Sequence, residues 1–346
     1  MRVVVTGATG NVGSALVDAL LNEDAVEEIV GVARRRPDRS HPKVRWVAAD
    51  VGVDDLEPVF RGAAAVVHLA WLIQPSRRPE VLRRANVTGT ERVGRAAAAA
   101  GVPALIHASS IGAYSPRPGV HTDERWPTGG IASSQYSREK AETERILDRL
   151  EAERPEMRIV RMRPALTGTG YAGAELRRLF LGRLFPRGLA SARRIPVVPE
   201  LGIRVQLVHT RDVADAYRRV LLSDLAGPLN VTADPPVDAR LVARVLDARV
   251  VPLPARAARV LVDASWRAHL QPTPVGWFDM ARSVPLLDAT RARRELGWEP
   301  AHRPEDVLRE VLAGVREGRH RPTPPLRGAV GDEALAQAAA AREERR

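Results

Sequence analysis

A short apolar run followed by three evenly spaced glycines constrains the fold of this chain more than any other feature. Residues 2–6 are rich in valine, as is typical of a buried parallel strand, and the helix that follows has apolar residues at Leu16 and Leu20. Glycines between a first strand and a first helix let the backbone approach a pyrophosphate at the helix N-terminus. The pattern predicts a dinucleotide site. The cofactor-binding residues predicted in this loop are Gly7, Thr9, Gly10, Asn11, Val12 and Gly13.

Strand and helix patterns alternate through about residue 165, which predicts an α/β fold with a doubly wound parallel sheet. We expect a Rossmann dinucleotide-binding domain formed by residues 1–165 and about 205–232. A smaller C-terminal substrate lobe is expected from about 166–204 and 233–320, followed by a tail over 321–346. The tail begins with a proline cluster and lacks a sustained apolar face, so it should add little to the core. Within these regions we predict helices over 54–61, 80–100, 134–153, 172–184 and 212–223, strands over 205–208 and 229–232, and a loop over 186–202.

The second predicted strand ends in three arginines, Arg34 to Arg36, and no acid follows until Asp38. An acidic residue at this position would bind a ribose 2′-hydroxyl, whereas an arginine accommodates a 2′-phosphate. The sequence therefore favours NADP(H), through Arg34, and NAD(H) remains the alternative. The third strand leads to Asp50 and Val51, where a carboxylate can accept a hydrogen bond from the adenine amino group.

Tyr136 and Lys140 lie four residues apart in the predicted helix 134–153, so they share one face. An ammonium beside a phenol favours phenolate, which predicts that the pKa of Tyr136 falls from about 10 toward neutral. Such a phenol can exchange a proton with a substrate hydroxyl or carbonyl. Lys43 is the only other lysine among 53 basic residues, which makes a chemical role for Lys140 more specific.

With these residues assembled, residues 1–320 resemble the extended short-chain dehydrogenase/reductases, the nucleotide-sugar epimerase/dehydratase superfamily. The resemblance rests on several motifs in the family's order. They are the loop Thr6–Gly13, the fourth strand Val66–Ala70, the segment Asn86–Thr90, the fifth strand Ile106–Tyr114, Arg163-Pro164, Val208–Ala216 and Leu296–Pro300.

The resemblance implies a role for each matched residue. Tyr136 is the general acid/base, Lys140 lowers its pKa and holds the nicotinamide ribose, and Ser110 rather than Ser109 orients the substrate oxygen. Asn86 supports the lysine through water or backbone. The cofactor contacts outside the glycine loop are Arg34, Asp50, Val51, Leu69, Ala70, Asn86, Ala108, Tyr136, Lys140 and Pro164.

The sequence departs from the superfamily at two points. Sugar-nucleotide 4,6-dehydratases have Thr-Asp-Glu at the Ser110 site, but Ile111 and Gly112 follow Ser110 here, so dehydratase chemistry is not expected. Sugar-nucleotide epimerases usually have an asparagine soon after the arginine that follows strand six, and residues 163–167 contain none. Hydride transfer at a carbinol or carbonyl carbon is expected. A reductase or dehydrogenase would release the product. The first alternative is a nucleotide-sugar epimerase, which retains a transient keto intermediate and returns the hydride to its other face, and the second is a non-catalytic cofactor-sensing regulator.

Composition restricts the remaining classes of site and partner. The chain has no cysteine, which excludes disulfides and thiolate metal sites, and no apolar run long enough to cross a bilayer. With the first strand at the start of the sequence, we expect a cytoplasmic protein that binds a small-molecule substrate, with no membrane and no metal. The net charge is +11, but the basic residues are dispersed along the sequence and form no stripe. We therefore expect no nucleic-acid-binding surface. A homodimer is left open.

Three groups of residues keep two interpretations each. Trp266, His269, Trp277 and Phe278 form either a pocket wall or a small satellite core. Asp123 and Glu124 are either substrate-facing or exposed loop acids. His68, His107 and His209 lack metal-ligand spacing, so structural roles are expected.

Overall fold

The structure is a computed structural model that describes residues 1–181 and 197–326. Its centre is a seven-stranded sheet in which every neighbouring pair is parallel. The strands of the described chain are β1 Arg2–Thr6, β2 Glu28–Ala33, β3 Val44–Ala48, β4 Ala65–His68, β5 Ala104–Ala108, β6 His121–Thr122, β7 Arg158–Pro164, β8 Leu166–Gly168, β9 Val197–Glu200, β10 Leu207–His209, β11 Gly227–Val231, β12 Arg249–Pro252 and β13 Leu286–Leu287. The order in the large sheet is β11-β7-β5-β4-β1-β2-β3.

Helices cover both faces of this sheet. In the described residues they are α1 Asn11–Leu21, α2 Glu57–Phe60, α3 Pro79–Arg83, α4 Gly89–Ala99, α5 Gln135–Glu153, α6 Gly173–Leu176, α7 Thr210–Leu221, α8 Ala239–Leu246, α9 Ala255–Arg267, α10 Val275–Ser283, α11 Thr290–Leu296 and α12 Pro304–Glu317. A π-helical segment, Arg84–Thr88, joins α3 to α4. The two faces follow the alternation of the strands, because Val3 and Val5 pack with α1 and α7 while Val4 packs with α4 and α5. The doubly wound α/β fold predicted from the sequence is confirmed.

The predicted elements of the nucleotide-binding region differ from the structure mainly at their ends. The helix predicted over 54–61 is reduced to Glu57–Phe60, because the Asp54 and Asp55 carboxylates accept hydrogen bonds from the backbone N–H groups of Asp50 and Glu57. The strand predicted over 205–208 begins only at Leu207, and Val205 makes an isolated antiparallel bridge to Val237.

The region predicted as loop over 186–202 contains a strand. Val197–Glu200 pairs in parallel with Arg249–Pro252, which lies about fifty residues away in sequence, so local sequence does not reveal the pairing. The helix predicted over 172–184 is α6 followed by a π-helical turn at Arg177–Leu181. Residues 182–184 and 186–196 of these two predictions lie outside the described residues.

The first residues of the predicted tail pack against the body of the protein. Pro324 and Leu326 are buried, and the Arg321 guanidinium lies 2.9 Å from Asp18 and stacks over the Tyr171 ring. The expectation that the residues after about 320 add little to the core is therefore wrong for residues 321–326. The remainder of the predicted tail, 327–346, lies outside the described residues.

Candidate active site

The glycine loop joins β1 to α1 and brings two backbone segments into close contact. A Cβ atom on Gly7, which has φ +70°, would lie 2.6 Å from the Ala70 nitrogen, and one on Gly13 would collide with the Gly7 carbonyl oxygen. Gly10 precedes α1 and offers no side-chain cap, so the first backbone N–H groups of this helix are free for an anion. Thr9 is buried, and the Asn11 amide oxygen accepts a hydrogen bond from Thr210.

The other predicted cofactor residues follow the carboxyl ends of neighbouring strands, which meet at one edge of the sheet. Arg34 comes directly after β2 and is exposed, and Asp50 follows β3 and accepts a hydrogen bond from the Gly52 N–H at 2.8 Å. The remaining members at this edge are Val51, which is buried, Leu69 and Ala70 after β4, Ala108 at the end of β5 and Pro164 at the end of β7.

Ser110, Tyr136 and Lys140 come together where β5 ends and α5 begins. The Ser134 hydroxyl caps α5 by accepting from the Ser137 N–H, which fixes Tyr136 in the first turn. The Ser110 side chain lies beside Tyr136, and its hydroxyl accepts a hydrogen bond from the Gly112 N–H at 3.1 Å. The Lys140 ammonium donates to the Ala108 carbonyl oxygen at 2.6 Å. The sequence spacing therefore brings together the three side chains that it singled out.

The protonation of this trio differs from the sequence-based expectation. Burial raises the pKa of Tyr136 to about 12, and the neighbouring Ser110 hydroxyl offsets this only in part. Burial also lowers the pKa of Lys140 to about 7, because Glu144 and Glu139 do not compensate for lost solvation. The lysine nitrogen is 5.9 Å from the centre of the tyrosine ring. The prediction of a lowered tyrosine pKa is wrong for the protein without cofactor, in which the phenol is protonated at neutral pH.

Trp71, which the sequence analysis did not single out, covers the catalytic lysine. The Lys140 nitrogen lies 3.3 Å from the centre of the indole ring, and the Trp71 and Tyr136 rings meet edge to face with their centroids 5.9 Å apart. The indole N–H is buried and has no hydrogen-bond partner among residues 1–181 and 197–326. A scarce tryptophan directly after Ala70 was the available signal, since Ala70 was already predicted to lie at the cofactor.

Asn86 acts on the neighbours of Lys140 and not on the ammonium itself. Its amide exchanges hydrogen bonds with both backbone groups of Leu72, at 2.7 and 3.1 Å. The same side chain donates to the Glu139 carboxylate at 2.8 Å. Asn86 therefore ties the segment after β4 to helix α5 one residue before the lysine.

A buried ion pair explains why Ser109 is not available to the site. The Glu144 carboxylate accepts two hydrogen bonds of 2.8 Å from Arg163 and a third from the Ser109 hydroxyl. Arg163 in turn donates to the Tyr114 hydroxyl. Ser109 is thus part of the support beneath α5, while Ser110 faces Tyr136.

A cavity of about 480 Å³ opens beside Tyr136. Trp266 and Trp277 line it, and the Trp277 ring stacks on Tyr136 with a centroid distance of 4.9 Å. His269 and Phe278 are not among its lining residues. The pocket-wall interpretation therefore holds for the two tryptophans only.

Gly276 brings α10 against the segment that precedes Tyr136. A Cβ atom at this position would collide with the carbonyl oxygen of Ser133 and would lie 2.9 Å from the Cα atom of Ser134. The backbone of α10 therefore contacts the N-cap of α5, and Trp277 follows directly at the point of contact.

Neither acid of the loop before Tyr136 lines the cavity. Asp123 is paired with Arg125 at 2.6 Å, and the Glu124 carboxylate accepts from the Asn230 N–H at 2.9 Å. Asp123 fits the loop-acid interpretation, and Glu124 joins the loop to β11.

The three strand histidines have different surroundings. His68 is hydrogen-bonded to Thr6 and Thr90, and burial lowers its pKa to about 3. Burial also lowers the pKa of His107 well below its usual value. Both are neutral at physiological pH.

His209 has neighbours that its sequence spacing does not reveal. It lies beside Asp212 and His302, with one potential ligand atom of each within 4.8 Å of the others. These atoms are already paired, because His302 Nδ1 is 2.8 Å from Asp212 and His209 Nε2 is 3.2 Å from Glu310. We interpret the cluster as a link between α7 and α12, and the absence of a metal stays a prediction.

One protein family matches more than half of this chain. The sequence profile of the NAD dependent epimerase/dehydratase family matches residues 3–231. The chain belongs to this family.

Relatives of this family member include proteins of different lengths. 3-Diazoavenalumate denitrifying reductase from a Streptomyces species is 30% identical over 320 residues, covering 87% of this chain and 97% of that protein. An uncharacterized protein of Mycobacterium tuberculosis is 27% identical over 319 residues, which cover 91% of this chain. This chain spans only 30% of the length of that mycobacterial protein.

Among solved structures, MoeE5 in complex with UDP-glucuronic acid and NAD has the same fold. The match has a TM-score of 0.69 at 22% identity and covers 92% of this chain and 100% of MoeE5. The profile match confirms the resemblance to the epimerase/dehydratase superfamily, and the structural match shows that the fold is shared.

The residues of this epimerase/dehydratase family member fit a dinucleotide. The glycine loop leaves no room for Cβ atoms at Gly7 and Gly13, and the uncapped start of α1 offers backbone donors to phosphate. Arg34 and Arg35 are exposed at the end of β2, and neither has a hydrogen bond or ion pair within the described chain. No helix in residues 1–181 and 197–326 is long and apolar enough to cross a membrane.

Proposed function

We propose that the protein is an NAD(P)-dependent oxidoreductase. It would bind its substrate beside the end of β5 and there reduce a carbonyl group or oxidise the corresponding alcohol. The observation that carries the proposal is the proximity of the Ser110 and Tyr136 side chains, with Lys140 on the same helix face and the cavity open beside the phenol. Residues 1–165 and 205–232 would hold the dinucleotide, and 166–204 with 233–320 would supply the substrate lobe.

The glycine loop would hold the pyrophosphate, Arg34 a 2′-phosphate and Asp50 the adenine. This assignment favours NADP(H), because the two exposed guanidiniums of Arg34 and Arg35 have no acidic partner in the described chain. When bound, the nicotinamide ring supplies or accepts the hydride at the substrate carbon.

The protein's own part in reduction is a proton transfer. Tyr136 carries its proton at neutral pH, so the phenol can donate to the substrate oxygen as negative charge develops there. The Ser110 hydroxyl, which lies beside the phenol, would donate to the same oxygen and stabilise that charge. Lys140 would act on the phenol electrostatically and hold the ribose, and Asn86 would keep the lysine's helix in place through Glu139.

The test follows reduced nicotinamide and substrate together in the full-length protein. A reductase consumes one NADPH for each carbonyl reduced, and Ser110→Ala and Tyr136→Phe should each abolish most of that consumption. Inversion of a carbinol centre without net loss of NADPH would instead identify an epimerase. Tight cofactor binding without turnover on any carbonyl or carbinol would identify a cofactor-sensing regulator and overturn the proposal.

A further inference from the structure

The cavity beside Tyr136 is lined by both apolar and polar side chains. Its volume of about 480 Å³ is in the range of sites for small organic ligands. The aliphatic and proline side chains of the lining are Leu72, Ile73, Pro75, Pro79, Leu82 and Pro274.

Aromatic side chains line this cavity, and a further ring packs behind one of them. Trp277 packs on Tyr136 with the ring planes tilted by 35°, and Phe180 meets Trp277 edge to face at a centroid distance of 5.0 Å. The guanidinium of Arg77 stacks 4.4 Å from the centre of the Trp266 ring and donates to its backbone oxygen. The chain has only six tryptophans, and two of them line this one cavity. Aromatic lining of this kind favours a ligand with an aromatic ring, which can make edge or face contacts with it.

The charged groups of the cavity favour an anion. Its lining contains Arg77, Arg138 and Glu139. The Glu139 carboxylate accepts hydrogen bonds of 2.8 Å from Asn86 and from Gln135, so its charge is stabilised inside the wall. Arg138 donates one N–H group to the Ala132 carbonyl oxygen, and a guanidinium has further donors to offer. The cationic excess therefore lies with the two arginines.

We propose that this cavity selects an aromatic carbonyl compound that carries an acidic group. The ring would stack at Trp277, the carbonyl oxygen would reach Tyr136 and Ser110, and the carboxylate would pair with Arg138 or Arg77. The proposal rests on the proposed function for its reaction and on the cavity for its substrate class. The reaction balances with the proposed cofactor: hydride adds to the carbonyl carbon, the Tyr136 proton adds to the oxygen, and NADPH is oxidised.

Binding and turnover are tested separately with the full-length protein. Calorimetry with 4-methylbenzoate, which has no reducible group, measures binding in the presence of NADP⁺. Turnover is compared for 4-formylbenzoate, benzaldehyde, cyclohexanecarbaldehyde and UDP-glucose. We expect 4-methylbenzoate to bind, and kcat/KM for 4-formylbenzoate to exceed those for both neutral aldehydes by about tenfold or more, as one charge-assisted hydrogen bond provides.

Two pairs of variants test which residues of the cavity cause the selectivity. Trp277→Leu should raise KM for 4-formylbenzoate about five- to tenfold. Trp277→Phe should have a KM much closer to the wild-type value, because an aromatic ring remains. Arg138→Gln should weaken 4-methylbenzoate binding about tenfold, and should lower kcat/KM for 4-formylbenzoate by a larger factor than kcat/KM for benzaldehyde. Arg149→Gln, an exposed change farther along α5, is the matched control and should behave as wild type.

The outcomes separate the two proposals. Binding of 4-methylbenzoate without reduction of any aldehyde would support the substrate class and overturn the proposed reaction. Turnover of UDP-glucose, or equal turnover of the cyclohexyl and aryl aldehydes, with no benzoate binding would overturn the substrate class and leave the redox function standing. Failure of both binding and turnover would contradict both.

Discussion

The ammonium nitrogen of Lys140 lies 3.3 Å from the centre of the Trp71 indole ring. This contact and the hydrogen bond to the Ala108 carbonyl leave the lysine without water around it. A cation over an indole face is stabilised by roughly 2 kcal/mol when desolvated, which is less than the loss of solvation costs a buried charge. The lowered pKa of Lys140, at about 7, follows from that balance.

The stability of the cofactor-free protein should depend on the protonation of Lys140. The folded chain releases this proton near pH 7, whereas the unfolded chain holds it to about pH 10.5. Between these values the unfolded state binds more protons, so the free energy of unfolding should rise with pH, by about 3 kcal/mol from pH 7 to pH 9.5. Urea denaturation at a series of pH values measures this. Lys140→Met should remove the rise, and Lys43→Met, which changes the only other lysine, should retain it. An equal rise in Lys140→Met would assign the effect to other groups.

Tyr136→Phe should lower turnover by roughly 10²–10⁴, the usual contribution of a positioned acid or base. The ring contacts with Trp71 and Trp277 do not involve the hydroxyl, so folding and cofactor affinity should stay close to wild type. Steady-state kinetics and a cofactor titration check both parts. Tyr171→Phe removes a hydroxyl from a partly exposed tyrosine outside the cavity lining and serves as the control. Near-normal turnover in Tyr136→Phe would contradict the proposed role of Tyr136 as the acid or base.

Arg34→Asp should shift the cofactor preference from NADPH toward NADH. The guanidinium suits a 2′-phosphate, and an aspartate in its place would repel the phosphate and accept a hydrogen bond from a 2′-hydroxyl. The wild-type preference should also weaken as salt rises, since Arg34 is exposed. Fluorescence titration with both cofactors measures it, with Arg154→Asp, at the far end of α5, as the control for charge reversal. Equal or tighter NADH binding by the wild type would refute the assignment.

No dehydratase activity is expected on dTDP- or GDP-hexoses. Ile111 and Gly112 form the short 3₁₀ turn beside Tyr136, and neither can remove or deliver a proton. The nearby loop acids have other partners, because Asp123 pairs with Arg125 and Glu124 bonds to Asn230. Incubation with these sugar nucleotides, followed by chromatography, should show no 4-keto-6-deoxy product. Its formation at catalytic rates would mean that acids elsewhere supply the elimination chemistry.

Removal of residues after Arg319 should lower the melting temperature by several degrees. The truncation deletes the buried Leu326 and the ion pair of Arg321 with Asp18. Leu326→Ala alone should lower the free energy of unfolding by about 2 kcal/mol. This is at the low end for a buried leucine, because the segment can adjust to the smaller side chain. A chain ending at Leu326 keeps these contacts and is the matched control. Equal melting temperatures for the chains ending at 319 and 326 would show that the packing of this segment contributes nothing.

Much of this fold could be predicted because its signals are local. The valine run of β1, the glycine loop and the spacing of Tyr136 and Lys140 each lie within a few residues, and β1 and the trio appear where expected. The pairing of β9 with β12 could not be predicted, since it depends on segments far apart in sequence.

The electrostatics of the site were also beyond a local pattern. The spacing shows that Lys140 and Tyr136 share a helix face, but it does not show how much water each retains. That depends on Trp71, which reaches the lysine from another element and is recognised only once the chain is folded. The predicted direction of the Tyr136 pKa was therefore wrong, and the role of this residue as acid/base stays a prediction.

The contact at Gly276 has a practical meaning for anyone who wishes to redesign this cavity. Because main chain meets main chain there, the distance between the stacking indole and the phenol is a property of the scaffold and not of side-chain choice. Trimming Trp277 enlarges the chamber while the scaffold stays in place. Any side chain at position 276 would push α10, which carries Trp277, away from the Tyr136 hydroxyl. Substitution there is therefore a separate way to change the distance between a bound substrate and the proton that it receives.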